Sequence, residues 1–426
     1  MGTVAGAVSM LVSNRLLTEF LDPERYGEFV LLMGLFVLAR ALAGQPLYWG
    51  LIRQYPDFAR IRRLDVLRAD ATRLVDRWLL VGCFGTIVVA VGMLGQATPV
   101  LGVSLLLLML WIDGRRTIEH IFMQAARRQR ELGIQHLLLA VLRPMLLVGL
   151  MLSFAQSVSA AIGVQLLVIV AGWGMFRWWF PREGVSAGTN RADAEPSARP
   201  RLIRFAVPLV PLGLIVWTLG QSDRYILAGF GSLESAGNYA AKYGMTNQTF
   251  NPTSLMLQAF IGPIHTTAVS AGNHRREIRL FWGWIGVSML VLIIGVVICW
   301  WLHRVIAGVL VAEEYRFMSY LMVWLALGCG LNAMSDAFNC RLLAAQATAL
   351  STICYGVSAA ICVGVTIWFV KVWGIDGAAY AAPVYFGLQT LLLGATSGVA
   401  MSKVRRESAA GIANGRTDVI TEVTQP

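Results

Sequence analysis

The sequence predicts an all-α polytopic membrane protein with about twelve transmembrane helices in two six-helix bundles. Three observations carry that expectation. Of 426 residues, 57% are hydrophobic and only 14% are charged, whereas a soluble domain is about one-quarter charged. The mean hydropathy is +0.63. A spanning helix takes roughly 20 mostly apolar residues, so the apolar content supplies about a dozen spans with little to spare. That composition excludes a soluble enzyme, a disulfide scaffold and a disordered chain.

The apolar runs place the spans in order. The first half gives 2–20, 26–51, 78–96, 101–126, 132–154 and 160–180. The second half gives 205–229, 239–269, 280–306, 318–345, 350–373 and 377–401. Basic clusters then alternate along the chain. Arg53 to Arg77 follow span two, Arg127, Arg128 and Arg130 follow span four, and Arg182 to Arg204 follow span six. Arg275, Arg276 and Arg279 follow span eight, and Lys403, Arg405 and Arg406 follow span twelve. The intervening segments carry Glu19, Asp22, Glu24, Glu28, Glu234, Glu313 and Glu314. By the positive-inside rule both termini are expected on the cytoplasmic side. The net charge of +11 thus serves orientation, and nucleic acid is not an expected partner.

Two polar segments stand out. Residues 57–77 set Phe58, Ile61, Leu64, Leu67, Ala71 and Leu74 at helical spacing with arginines opposite, which predicts an amphipathic helix lying on the cytoplasmic leaflet. Residues 181–204 are rich in Gly, Ser, Ala, Pro and charge and read as a linker. The expected organisation is an N-terminal bundle over 1–180, that linker, a C-terminal bundle over 205–403 and a cytoplasmic tail over 404–426. An internal repeat supports the split: Glu24, Gly27 and Phe29 recur as Glu234, Gly237 and Tyr239, each set opening the second span of its half. Parallel six-span repeats are a transporter architecture.

Ionisable residues inside spans are costly and therefore candidates for function. Arg40, Arg115, Arg116, Arg143 and Lys242 are candidates to bind an anion, with Glu119, Asn247, Gln248 and Asn339 as polar lining. Asp223 and Asp336 could couple to an ion gradient or serve as structural ion-pair partners. Trp217 with Tyr239 and Tyr243 could stack on a sugar ring, although packing is the default. Only three of the 35 basic residues are lysine. That bias suits bidentate phosphate recognition and would equally follow from a GC-rich genome. The six cysteines lie in apolar runs, the five histidines are scattered, and no phosphate-cradling GxxxxGK[ST] loop occurs. Neither a metal nor a cofactor is expected, and no extramembrane segment is large enough to fold as an enzyme domain.

The run Pro208-Leu-Val-Pro-Leu-Gly, then Asp223-Arg-Tyr-Ile-Leu, then Gly237-Asn-Tyr-Ala-Ala-Lys-Tyr resembles polysaccharide-export and O-antigen flippases of the Wzx type, within the multidrug/oligosaccharidyl-lipid/polysaccharide exporter superfamily. Pro23-Glu-Arg-Tyr-Gly, Leu51-Ile-Arg and Gly374-Ile-Asp-Gly-Ala-Ala share the likeness, which covers nearly the whole chain. The resemblance implies two bundles in a V about a cavity with alternating access. It implies a bacterial inner-membrane flippase for a polyprenyl-pyrophosphate-linked oligosaccharide destined for surface polysaccharide, with the polymerase machinery as a further partner. The alternative in the same superfamily is a cation-coupled exporter of small organic molecules.

Overall fold

The computed structural model describes residues 2–94, 100–153, 156–179 and 197–413. These residues are almost entirely helical. Helix α1 is Gly2–Phe20, and α2 (Pro23–Ala39) passes through a π-turn, Arg40–Gly44, into α3 (Gln45–Arg60). Next come α4 (Leu64–Leu94), α5 (Val100–Ala125), α6 (Gln129–Ser153), α7 (Val158–Trp179) and the short α8 (Arg199–Ala206). The second half holds α9 (Val210–Phe230), α10 (Leu233–Ser270), α11 (His274–Leu310), α12 (Leu321–Ala344) and α13 (Thr348–Ala413). The last is broken at Gly374 (φ 60°, ψ −131°), between spans eleven and twelve. Among the described residues each of the twelve expected spans falls on helix, with span ten's helix starting at Leu321; residues 95, 96, 154 and 180 lie outside the described residues. Seven helical stretches among the described residues meet the length and hydropathy of a membrane span outright. Large apolar side chains such as Leu152, Trp178, Trp301 and Leu391 are exposed, the reverse of a water-soluble surface.

Helix starts follow local capping chemistry. Asp22 accepts the Arg25 N–H (2.8 Å) with Pro23 opening α2, and Ser232 accepts the Ser235 N–H (3.1 Å) at α10. Asn273 does the same for Arg276 (3.1 Å) at α11. Each cap satisfies an N–H that has no partner inside the helix.

Four helix ends repeat one geometry. Arg62, Gly272, Arg127 and Gln346 all have positive φ, between 55° and 66°. At each, the residue itself donates three residues back and the next donates five back, as in Arg62 to Ala59 (3.1 Å) and Arg63 to Phe58 (2.9 Å). This double bond closes the free carbonyls and turns the chain sharply into the next helix. The motif ends spans two and eight, then spans four and ten, so the sequence repeat has a structural counterpart. Glycine occupies only one of the four, although the left-handed conformation strains other residues. Arg62→Gly, Arg127→Gly and Gln346→Gly are each expected to stabilise the protein by about 0.5 kcal/mol, and Gly272→Ala to cost about 1 kcal/mol. Thermal unfolding in detergent checks both signs.

The chain forms two compact units. The first comprises residues 1–245, 304–319 and 370–375, and the second comprises 246–303, 320–369 and 376–426. The boundary falls inside α10 because the Asp22 ends of α2, α9 and α10 pack together with α1. In the first unit Leu31, Leu35 and Tyr225 form one core, with Trp217 and Leu233 against it. The second is centred on Phe281, Trp284, Ile285 and Ala337, and on Leu342, Cys354 and Leu393.

The amphipathic segment differs from its expectation. Residues 57–77 do not form one helix on a membrane surface: the chain turns at Ile61–Arg63 between α3 and α4. Phe58, Leu67, Ala71 and Leu74 are indeed buried, but inside the first unit, where α8 also docks through Ala198, Leu202 and Ala206. Asp70 anchors that docking by accepting the Ala198 N–H (2.9 Å) and the Ser197 hydroxyl (3.1 Å). Residues 181–196 of the expected linker and 414–426 of the expected tail lie outside the described residues.

Candidate functional site

The first unit gathers three of the expected arginines. Arg40 opens the π-turn, where Gln45 N donates to Arg40 O. The turn has a local cause: Pro46 has no N–H for the Leu42 carbonyl, so the register widens by one residue. Span seven presses on this turn from the other side, for a Cβ at Gly213 would fall on the Ala41 carbonyl oxygen. Asp113 on α5 is buried and faces Arg40 (3.5 Å) and Arg116 (2.6 Å). Arg143 on α6 sits just before Pro144 and donates to the Met10 sulfur (2.8 Å).

Two guanidiniums, Arg40 and Arg116, therefore share one carboxylate, and Arg143 adds a third with the Met10 sulfur as its partner. The Nε of Arg143 is buried with no hydrogen-bond acceptor among the described residues, and the buried Nε of Arg40 reaches Asp113 only as an ion pair at 3.5 Å. Buried cationic donors without acceptors are costly, and an anion placed among them would satisfy them. One turn along α5, His120 stacks on His136 of α6, with ring centroids 5.6 Å apart and 19° between planes. Phe176 of α7 meets His120 edge-on. Arg116 lies against Gly172, and Gln135 donates to the Gly172 carbonyl (2.9 Å).

Other candidates go elsewhere. Arg115 turns away from Arg116 to Asp76 (2.9 Å) and stacks on Trp111 (4.2 Å). Glu119 pairs with Arg68 (3.3 Å). Lys242 is buried on α10 and donates to Asn238 O (3.2 Å) and Oδ1 (3.4 Å). Asp223 accepts from the Tyr239 hydroxyl (2.6 Å), and Arg224 lies over the Tyr243 ring (4.7 Å) and bonds Gln221. Lys242, Asp223 and Arg224 thus make a buried polar layer near the Asp22 end of the unit. Trp217 packs at a tilt against Tyr225 (centroids 5.2 Å apart, 53° between planes) and donates to the Gly34 carbonyl (2.8 Å).

Next to that layer lies a contact whose role the repeat alone did not disclose. A Cβ at Gly27 would fall on the Leu233 carbonyl oxygen, and one at Gly237 on the Pro23 carbonyl oxygen. The first turns of α2 and α10 therefore meet reciprocally, backbone to backbone. Tyr26 braces the contact by donating to Asn14 (2.6 Å) and by meeting Tyr315 edge-on (5.7 Å). Tyr315 in turn donates to Leu21 O (2.7 Å).

In the second unit Asp336 is bonded by the Ser254 hydroxyl (2.5 Å). Asn339 accepts from Ser351 (2.6 Å), and Asn247 and Gln248 are half-buried on α10. A group missed by sequence reasoning is Glu277. It is 0% exposed and pairs with Arg341 (3.0 Å) and Arg405 (2.8 Å), with His265 at 3.6 Å. Its one signal is a lone acid inside the basic run His274-Arg-Arg-Glu-Ile-Arg. Among the described residues no group of three or more His, Cys, Asp or Glu could hold a metal ion.

The fold is shared with solved MATE transporters and with the lipid II flippase MurJ. The chain superposes on the lipid II flippase MurJ in an inward closed conformation (TM-score 0.65, 12% identity, 96% of this chain and 89% of that one). It superposes on a mutant of the Vibrio cholerae MATE transporter VcmN (0.62, 13%, 95% of each). A multidrug resistance MATE transporter in its inward-facing conformation matches at 0.61 and 14%, over 94% of this chain and 96% of that one. No family model matches the chain, and no curated protein matches it in sequence. The chain is a multi-span membrane protein with a transporter fold.

Proposed function

We propose that this protein flips a polyprenyl-pyrophosphate-linked oligosaccharide across the bacterial inner membrane for surface polysaccharide synthesis, with both termini cytoplasmic. The observation that carries this reading is the excess of guanidinium over carboxylate at Arg40, Arg116 and Arg143: the first two share Asp113, and the buried Nε of Arg143 has no acceptor among the described residues. Arginine forks match a diphosphate's planar pairs of oxygens, and the lipid tail keeps to the bilayer. Lys242 and Arg115 contribute to the field around the head group rather than to direct contact. Binding favours one exposure of the site, and release on the far side restores the other. The polymerase machinery that consumes the flipped unit is the partner this reading implies.

A second reading, a cation-coupled exporter of small molecules, is favoured by one observation: Asp336 is an intramembrane carboxylate whose described partners, Ser254 and Gln258, are neutral. In either reading Asp336 or Asp223 would couple transport to an ion gradient. Proteoliposomes separate the two. A fluorescent polyprenyl diphosphosaccharide is expected to cross faster with the wild type than with Arg116→Met or Arg143→Met, by about 10- to 100-fold per charged hydrogen bond lost. Equal rates for all three proteins would end the flippase reading. Drug efflux unaffected by those arginine changes but abolished by Asp336→Asn would favour the exporter.

A further inference from the structure

We propose that His120 and His136 form a second subsite for the same anion, one that holds a phosphate oxygen by taking up a proton from water as the diphosphate binds. The proposal rests on the diphosphate reading above. Geometry places the pair on the path: His120 is one turn from Arg116 on the same face of α5, and His136 is two turns from Arg143 on the same face of α6. Together they make a column of basic groups between two helices. The rings are stacked nearly parallel, so each imidazole leaves its nitrogens at the ring edge, free to face a third group.

The charged neighbours explain why the proton would come with the anion. Arg116 and Asp113 on α5, Arg40 in the π-turn and His136 on α6 all act on His120. Arg116 acts on His136, the Glu119–Arg68 pair lies beside them, and α7 offers Phe176. Arginines outnumber carboxylates in this set, so the empty site carries a net positive charge. A dianionic diphosphate diester reverses the sign of the local field. One imidazole then gains a proton at its free nitrogen and donates that N–H to a phosphate oxygen, with no bond broken in the ligand. Histidine is suited to this because its ordinary titration lies near neutrality.

The probe is a short-chain diester, farnesyl diphosphoglucose, whose phosphates hold no titratable proton near neutral pH. It is titrated calorimetrically into the full-length protein in detergent, in buffers of different ionisation enthalpy. Uptake of about one proton per ligand is expected, with affinity falling up to tenfold per pH unit above the imidazole range. His120→Gln/His136→Gln is expected to keep arginine-dependent binding but lose both the uptake and the pH dependence. His136 is exposed, so His136→Gln alone serves if the pair fails to fold, with the uptake reduced. Binding without proton uptake, or uptake unchanged in the variants, overturns this proposal and leaves the diphosphate reading standing. No binding by the wild type overturns the diphosphate reading itself, and this one with it. Inorganic phosphate is run alongside, and tighter binding of it than of the diester would also overturn the proposal.

Discussion

Glu277→Ala is expected to destabilise the protein by about 3–5 kcal/mol, the loss typical when one member of a buried charge network is removed. Glu277 is completely buried and receives Arg341 at 3.0 Å and Arg405 at 2.8 Å. These groups come from α11, α12 and the end of α13, and His265 adds α10. One carboxylate therefore ties four helix ends of the second unit. Arg341 keeps some support without it, lying over the Phe281 ring at 4.2 Å. Its side chain is only 12% exposed, so the uncompensated charge cannot simply hydrate. Arg405 is 35% exposed, and Arg405→Met should cost much less, about 1 kcal/mol. The double variant Glu277→Ala/Arg341→Met is expected to recover part of the loss, because the orphaned charge leaves with its partner. Thermal unfolding of the four proteins in one detergent measures this. Equal, small shifts for Glu277→Ala and Arg405→Met would contradict it.

Gly27→Val or Gly237→Val is expected to force apart the first turns of α2 and α10 and to lower transport at least tenfold. An added side chain has nowhere to go, since it would meet backbone of the facing helix rather than a flexible side chain. Overpacking of this kind costs about 1–3 kcal/mol. The contact closes the Asp22 end of the first unit, and with it buries Leu21, which is 1% exposed. A single cysteine at Leu21 is therefore expected to resist an impermeant maleimide added from the side on which Asp22 lies, and to react quickly in Gly27→Val protein. Gly133→Val is the control, for nothing lies within 4 Å of a Cβ there. Unchanged labelling in folded Gly27→Val protein would show that the contact does not govern access.

Which parts of this were legible in the sequence follows from physics. The spans were, because every membrane helix must satisfy its own backbone and is marked by an apolar run of fixed length. The Glu24/Gly27 and Glu234/Gly237 repeat was visible as a pattern, but not that its glycines touch: reciprocity belongs to packing, not to either segment alone. Arg40 and Arg116 stood out because intramembrane charge is rare. Where each guanidinium points depends on helix rotation, so adjacent Arg115 and Arg116 could not be separated before Asp76 and Asp113 were seen to claim one each. Segment 57–77 shows the converse failure. Its amphipathic face was right, yet the same pattern fits a membrane surface or a protein groove, and the turn at Arg62 decides for the groove. Glu277 was overlooked since a charge next to arginines at a span end reads as solvated.

The most direct test of the central claim is mass spectrometry of polyprenyl-linked saccharides from cells depleted of this protein and complemented with wild type or with Arg116→Met. The account expects a complete oligosaccharide to accumulate on its diphosphate carrier in depleted and Arg116→Met cells, with surface polymer lost, and wild type to clear it. A lipid-linked pool unchanged by depletion would contradict it.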